Sequence, residues 1–144
     1  MLIGISPLFS PDLLSTFYRM GHGDEIVRAD AHFPGESINP HVIRADGLNI
    51  PSLLDALLSL FALDKTESSL IMMQPSQGDS ANQTVEHSYW DEVIKHWLGT
   101  ALIVKIERFA FYERAKKAFA VVMTGETKIH ANIILKKGVT PIQN

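Results

Sequence analysis

The stretch Met20-Gly21-His22-Gly23-Asp24-Glu25-Ile26-Val27-Arg28-Ala29-Asp30-Ala31-His32-Phe33-Pro34 decides how this chain is read. Its centre, Ile26 to Ala29, reads as a short buried strand that ends abruptly in an aspartate. In α/β sheets ligands bind beyond the carboxyl ends of the strands, so Asp30 stands where a site is expected. His22 precedes the strand between two glycines, which leave the imidazole uncrowded and let the backbone bend sharply. An imidazole gives and takes protons near neutral pH. The expectation is that His22 and Asp30 share one pocket, with a neighbouring carboxylate fixing the imidazole tautomer.

Moving outward from that strand, the rest of the chain alternates helical and strand patterns. Ser10-Pro11-Asp12 is a helix start: a capping serine, proline at the first helical position, and an acid at the positive end of the dipole. Leu13, Leu14, Phe17 and Tyr18 keep helical spacing, and Gly21 is placed to stop the helix. Val42 to Gly47 predicts a short strand and turn, and Asn49 to Phe61 a helix with Leu53, Leu54, Leu57, Leu58 and Phe61 inward. Leu70 to Met73 predicts a buried strand, and Gln74 to Gln83 a polar loop carrying Pro75 and Gly78. Val85, Tyr89, Val93 and Trp97 mark a helix over Thr84 to Leu98, ended near Gly99. Leu102 to Ile106, Phe119 to Met123 and Ile133 to Leu135 are three further strands, and Phe109 to Lys117 a helix.

Short apolar strands alternating with amphipathic helices predict an α/β fold, a three-layer single domain over residues 1–144. The last two strands are separated by a loop too short for a crossover helix, so the sheet is expected to be mixed, though mostly parallel. No repeat, low-complexity tract or interdomain linker interrupts the pattern.

Composition narrows the function. With 144 residues and 46% hydrophobic content the chain is long and apolar enough for one folded core. A net charge of −3 argues against nucleic acid as a partner. The absence of cysteine removes disulfides, thiolate catalysis and Cys-ligated zinc, and fits the cytosol. The first residues lack a basic stretch and are broken by Pro7 and Pro11, so they do not read as a signal peptide. No apolar run approaches bilayer length, and a soluble protein with no membrane partner is expected.

Four groups of residues carry possible chemistry. His22 is one; an isolated loop histidine is commonly structural, but the glycines and the nearby Asp24 and Asp30 favour a proton-transfer role. Asp30-Ala31-His32, with His41 further on, invites a metal reading, yet the spacing matches no metal motif, and His32 has a packing role ahead of Phe33-Pro34 as its alternative. Arg108 to Phe119 is an amphipathic helix with a solvated charged face, in which Arg108 at a strand end has the donor fork to hold a sugar hydroxyl or a carboxylate. His130-Ala131-Asn132 opens the last strand; Asn132 serves either a turn or a ligand, to which it offers one donor and one acceptor. The Gly-x-Ser-x-Gly nucleophile motif is absent, and Gly21-x-Gly23 lacks the later glycine of a dinucleotide fold.

Taken in order, Ile5-Ser6-Pro7, Gly21 to Glu25, Asp30 to Pro34, Val42 to Gly47, Arg108 to Arg114, Thr124-Gly125-Glu126 and Asn132 to Gly138 resemble the D-ribose pyranase / L-fucose mutarotase family across nearly the whole chain. The Arg-Phe-x-Phe-Tyr-Glu-Arg segment is similar to the fucose branch. The resemblance implies a cytoplasmic isomerase that interconverts the α and β anomers of a free monosaccharide, with no metal or coenzyme. It also implies a homodecamer of two pentameric rings with active sites at subunit interfaces. It assigns catalysis to His22 and Asp30, and sugar binding to Asp30, Arg108 and the tripeptide His130-Ala131-Asn132. That tripeptide is usually Tyr-Gly-Asn or Tyr-Ala-Asn in the family; here the asparagine is kept and a histidine replaces the tyrosine. Three alternatives stay open: pyranose/furanose exchange, a non-catalytic sugar-binding accessory protein, and a metal-dependent hydrolase or isomerase built on His22, Asp30 and His32.

Overall fold

The computed structural model describes residues 1–65, 69–75, 83–96 and 103–142, with residues 83 and 84 described by backbone alone. Six strands form one sheet: β1 (Glu25–Ala29), β2 (Val42–Ala45), β3 (Leu70–Met73), β4 (Val104–Ile106), β5 (Ala120–Thr124) and β6 (Ile133–Lys136). The helices are α1 (Pro11–Arg19), α2 (Gly35–Ile38), α3 (Ile50–Leu58), α4 (Gln83–His96) and α5 (Arg108–Lys117). Strand order is β2-β5-β1-β6-β3-β4. β1 and β2 pair parallel to β5, and β3 parallel to β4, while β6 runs antiparallel to both β1 and β3. Five strands therefore point one way and β6 alone opposes them, which is the mixed, mostly parallel sheet expected. Trp97, Gly99, Gly78 and the start of the strand expected from Leu102 lie outside the described residues.

Period-two alternation divides the strands between two apolar layers. Ile26, Leu70, Met72, Val122, Ile133 and Leu135 face α1, α3 and α4, with Leu13, Phe17, Leu53, Leu57 and Tyr89. Val27, Ala29, Ile71, Met73, Val121 and Ile134 face α2 and α5, with Phe33, Phe111 and Ala115. The caps form as the residue types dictate. Ser10 accepts the Leu13 N–H at 3.1 Å, Asn49 the Ser52 N–H at 2.9 Å and Glu107 the Ala110 N–H at 3.1 Å.

Two departures from the sequence reading matter. Arg108 is the first residue of α5 rather than the end of a strand, because Glu107 caps the helix in front of it. The charged face of α5 is not wholly solvated, since Arg114 grips the Glu25 carboxylate of β1 with contacts of 2.7 to 3.0 Å. A third feature went unread: Arg28, inside the buried strand, is 0% exposed and points into the α1/α3/α4 layer. Among the described residues none of its three guanidinium nitrogens has a hydrogen-bond partner, and the guanidinium carbon sits 5.7 Å from the centre of the Phe17 ring. Burial pushes its pKa down to about 9, with Tyr89 acting weakly the other way.

Candidate active site

All five co-directional strands end at one edge of the sheet, and β6 begins there. β5 and β6 lie on either side of β1, so the loop joining them, residues 125–132, arches over the end of β1. Asp30 leaves β1 directly beneath that arch. The Ala31 N–H donates to the Glu126 carbonyl at 2.8 Å, and Thr124 Oγ1 donates to the Ala29 carbonyl at 2.8 Å. Gly125 permits the neighbouring β2–α3 turn to approach: a Cβ there would collide with the Asp46 carbonyl oxygen. Its N–H donates to the Leu48 carbonyl at 2.8 Å.

Asp30 is 3% exposed and closely held. Its own N–H donates to Asn132 Oδ1 at 2.7 Å, and its carboxylate Oδ1 accepts the His32 N–H at 2.9 Å. The Ala131 N–H also serves the carboxylate. Burial pushes the Asp30 carboxyl above the ordinary carboxylate range, against the pull of these N–H groups and of the His32 side chain. A carboxyl raised in this way holds a proton more readily than an exposed one, which suits a proton-transfer role.

A pocket of about 240 Å³ opens over this carboxyl on the α2/α5 side. That is roughly eight waters' worth of room, the scale of one monosaccharide. Arg108 and Tyr112, one helical turn apart on α5, form one wall; Arg108 Nε donates to the Tyr112 hydroxyl at 3.2 Å and its guanidinium carbon lies 5.3 Å from that ring's centre. Phe33 meets Tyr112 edge-on at 5.6 Å. His32, His130 and Asn132 supply the remaining polar lining. Asn132 Oδ1 is committed to Asp30, so its amide N–H₂ is the group it presents to a ligand.

Of the residues expected in the site, Asp30, Arg108, His130 and Asn132 line one pocket, and Ala131 sits buried behind it. His22 does not join them. It precedes β1 at the opposite edge of the sheet, its side chain 60% exposed and its Nε2 3.6 Å from Asp64 Oδ1. The expectation that His22 and Asp30 share a pocket therefore fails within one chain: the five-residue strand between them spans roughly 16 Å. Asp24 does not serve the imidazole either, because its Oδ2 accepts the Gly21 N–H at 2.7 Å and closes the turn. Gly23, with φ +89, supplies the bend that the sequence suggested.

His32 and Tyr112 were missed as pocket residues. The sequence reading offers His32 as a packing residue or metal ligand, and Tyr112 as part of a solvated helix. The signal for Tyr112 was present, since i and i+4 on a helix share a face with Arg108. A metal held by His22, Asp30 and His32 has no basis within one chain, given the sheet between the first and the others. Among the described residues the carboxylate–histidine group close enough for an ion is Asp55, Glu92 and His96, between α3 and α4. Lys95 Nζ already lies 3.1 Å from Asp55 there, and His96 Nε2 is 2.7 Å from the same oxygen.

A pocket of monosaccharide size at the carboxyl ends of a mostly parallel sheet, with a buried carboxyl at its floor, defines a small α/β protein with a polar ligand pocket. The chain belongs to the RbsD / FucU transport protein family, whose sequence pattern matches residues 3–140. An L-fucose mutarotase of Histophilus somni (strain 2336) is 53% identical over 145 aligned positions, covering 99% of this chain and 100% of that protein. The fucose mutarotase of Streptococcus pneumoniae, solved in complex with L-fucose, superposes with a TM-score of 0.91 at 48% identity, covering 97% of this chain and 100% of that one. FucU from Bifidobacterium longum gives a TM-score of 0.89 at 39% identity, covering 95% and 99%. No helix among the described residues is long and apolar enough to cross a membrane.

Proposed function

We propose that this chain is an isomerase that interconverts the α and β anomers of L-fucose by acid–base ring opening and closure. The observation that carries the reading is the Asp30 carboxyl, buried, raised in pKa and held by three backbone N–H groups at the floor of a sugar-sized pocket. The likeness to proteins described as L-fucose mutarotases directs the choice of sugar.

Ring opening takes a proton from the anomeric hydroxyl and delivers one to the ring oxygen. The aldehyde then turns about C1–C2 and the ring recloses. Asp30 accepts or returns one of these protons, or orients the group that does. Arg108 and the Asn132 amide donate to sugar hydroxyls, and His130 and Ala131 shape the same wall. A positioned acid–base group contributes roughly 10²–10⁴-fold, enough for a reaction that already proceeds slowly in water, so no covalent intermediate is required.

His22 enters this chemistry from a neighbouring copy of the chain. The end of the molecule that carries it has exposed apolar groups in Tyr18 and Val139. Phe109 and Ile129, also exposed, flank the pocket at the opposite end. An interface that joins opposite ends of identical subunits is head-to-tail and gives a ring where the rotation between copies closes. That geometry suits the homodecamer of two pentameric rings that the family resemblance implies, with one protomer's His22 brought to the next protomer's Asp30. A cytoplasmic location is part of the same reading, consistent with a chain that carries no cysteine.

Saturation-transfer NMR of equilibrated L-fucose tests this. The native protein should speed exchange between the anomeric signals, Asp30→Asn should lose most of the acceleration, and His22→Ala should lose it with the fold intact. Sugar binding with no accelerated exchange would refute the catalytic reading and leave a binding protein. Full exchange by His22→Ala would remove that residue from the mechanism.

A further inference from the structure

The hydroxyl of Tyr89 reaches the site from the far side of the sheet. α4 packs in the layer with α1 and α3, whereas the pocket opens on the side of α2 and α5. Tyr89 is 1% exposed and lies among apolar neighbours, yet its O–H extends to the Ala131 carbonyl at 2.6 Å. This is the only hydrogen bond the phenol makes among the described residues. Burial, with Glu126 and Asp30 nearby, pushes the phenol above its ordinary range, so it stays an O–H donor.

Ala131 is the centre of the turn that carries the sugar-facing groups. Its N–H serves the Asp30 carboxylate and its carbonyl serves Tyr89, so one small residue is bonded from both faces of the sheet. The residue before it, His130, is the only non-glycine among the described residues in the left-handed region, with φ 57. Surrounding structure must hold such a conformation in place. The residue after it, Asn132, places its Oδ1 on the Asp30 N–H. Loss of the Tyr89 bond would take from the buried Ala131 carbonyl the side-chain donor it has among the described residues.

We infer that Tyr89 is a positioning residue: its hydroxyl holds the His130–Asn132 turn in the shape that presents Asn132 and Asp30 to the sugar. The sugar part of this inference rests on the function proposed above; the hold on the turn does not. Two variants of the intact protein separate positioning from mere stability. Tyr89→Phe removes only the hydroxyl. Val93→Ala cuts a buried side chain from the same face of the same helix, away from the turn.

Tyr89→Phe should raise deuterium uptake across residues 126–136, read by mass spectrometry, and weaken L-fucose binding about tenfold by calorimetry. Val93→Ala should lower the unfolding midpoint at least as much, with binding and uptake in that segment close to native. Native uptake over 126–136 in Tyr89→Phe, or an equal loss of binding in Val93→Ala, would overturn the inference. If the native protein binds no L-fucose, the sugar assignment falls, and deuterium uptake alone decides whether Tyr89 holds the turn.

Discussion

Replacing Arg28 with methionine should make the protein more stable. The guanidinium is fully buried, none of its nitrogens is bonded among the described residues, and burial lowers its pKa to about 9 from the ordinary 12.5. At 1.36 kcal/mol per unit, charging it in the fold costs about 5 kcal/mol. The Phe17 ring returns part of this: a desolvated cation–π contact is worth about 2 kcal/mol at the 5.7 Å observed. The net penalty is about 3 kcal/mol, and methionine fills similar space with no charge. The gain should appear as a higher urea midpoint at unchanged slope, measured at matched protomer concentration because association also contributes. The sign with pH is fixed. The folded pKa lies below the unfolded one, so the penalty is full below about 9 and fades as pH rises from there toward 12.5. The gap between native and variant should therefore narrow in alkali. A variant no more stable than the native protein at pH 7 would refute the reasoning and mean that the guanidinium is paired in the assembled protein.

The raised pKa of Asp30 should place the acid-side loss of kcat/KM above the ordinary carboxylate value of about 3.9, because the protonated form persists to higher pH; activity that holds flat down to that value would remove Asp30 as the titrating group. Co-expression of His22→Ala with Asp30→Asn should restore about a quarter of the sites if each is shared between head-to-tail subunits. No recovery in mixed assemblies, against separately inactive parents, would place both residues' work within one subunit.

Strand and helix positions were legible wherever the apolar period was clear. Leu70 to Met73 forms β3 with the expected bounds, and Leu53, Leu54, Leu57, Leu58 and Phe61 are all buried. Capping chemistry located the start of α1, since Ser10-Pro11 is a local signal, whereas α3 was placed by its leucine spacing and its Asn49 cap emerges from the structure. α2 was not foreseen, because four residues cannot show a period. Arg28 was absorbed into an apolar run, and pattern alone offers no reason to bury a guanidinium without a partner. Tyr89 was read as one member of a helical stripe, and its hydroxyl bond depends on a loop 42 positions away in sequence.

The site itself was half legible, and the topology explains which half. Asp30, Arg108 and Asn132 each follow or precede a strand, and the common direction of five strands with β6 opposed brings those ends to one edge. End-of-strand reasoning therefore placed Asp30 and Asn132 at that edge, which Arg108 reaches from the start of α5. It misled for His22, because nearness in sequence was taken for nearness in space. A helix brings residues a few positions apart onto one face, whereas a strand carries its two ends apart by about 3.3 Å per residue. With β1 between them, His22 and Asp30 belong to opposite edges of the same sheet. A reaction that needs both within reach of one sugar must then be performed by two copies of the chain. In the head-to-tail assembly proposed above, the exposed apolar residues at each edge, Tyr18 and Val139 at one and Phe109 and Ile129 at the other, supply the surfaces for that meeting.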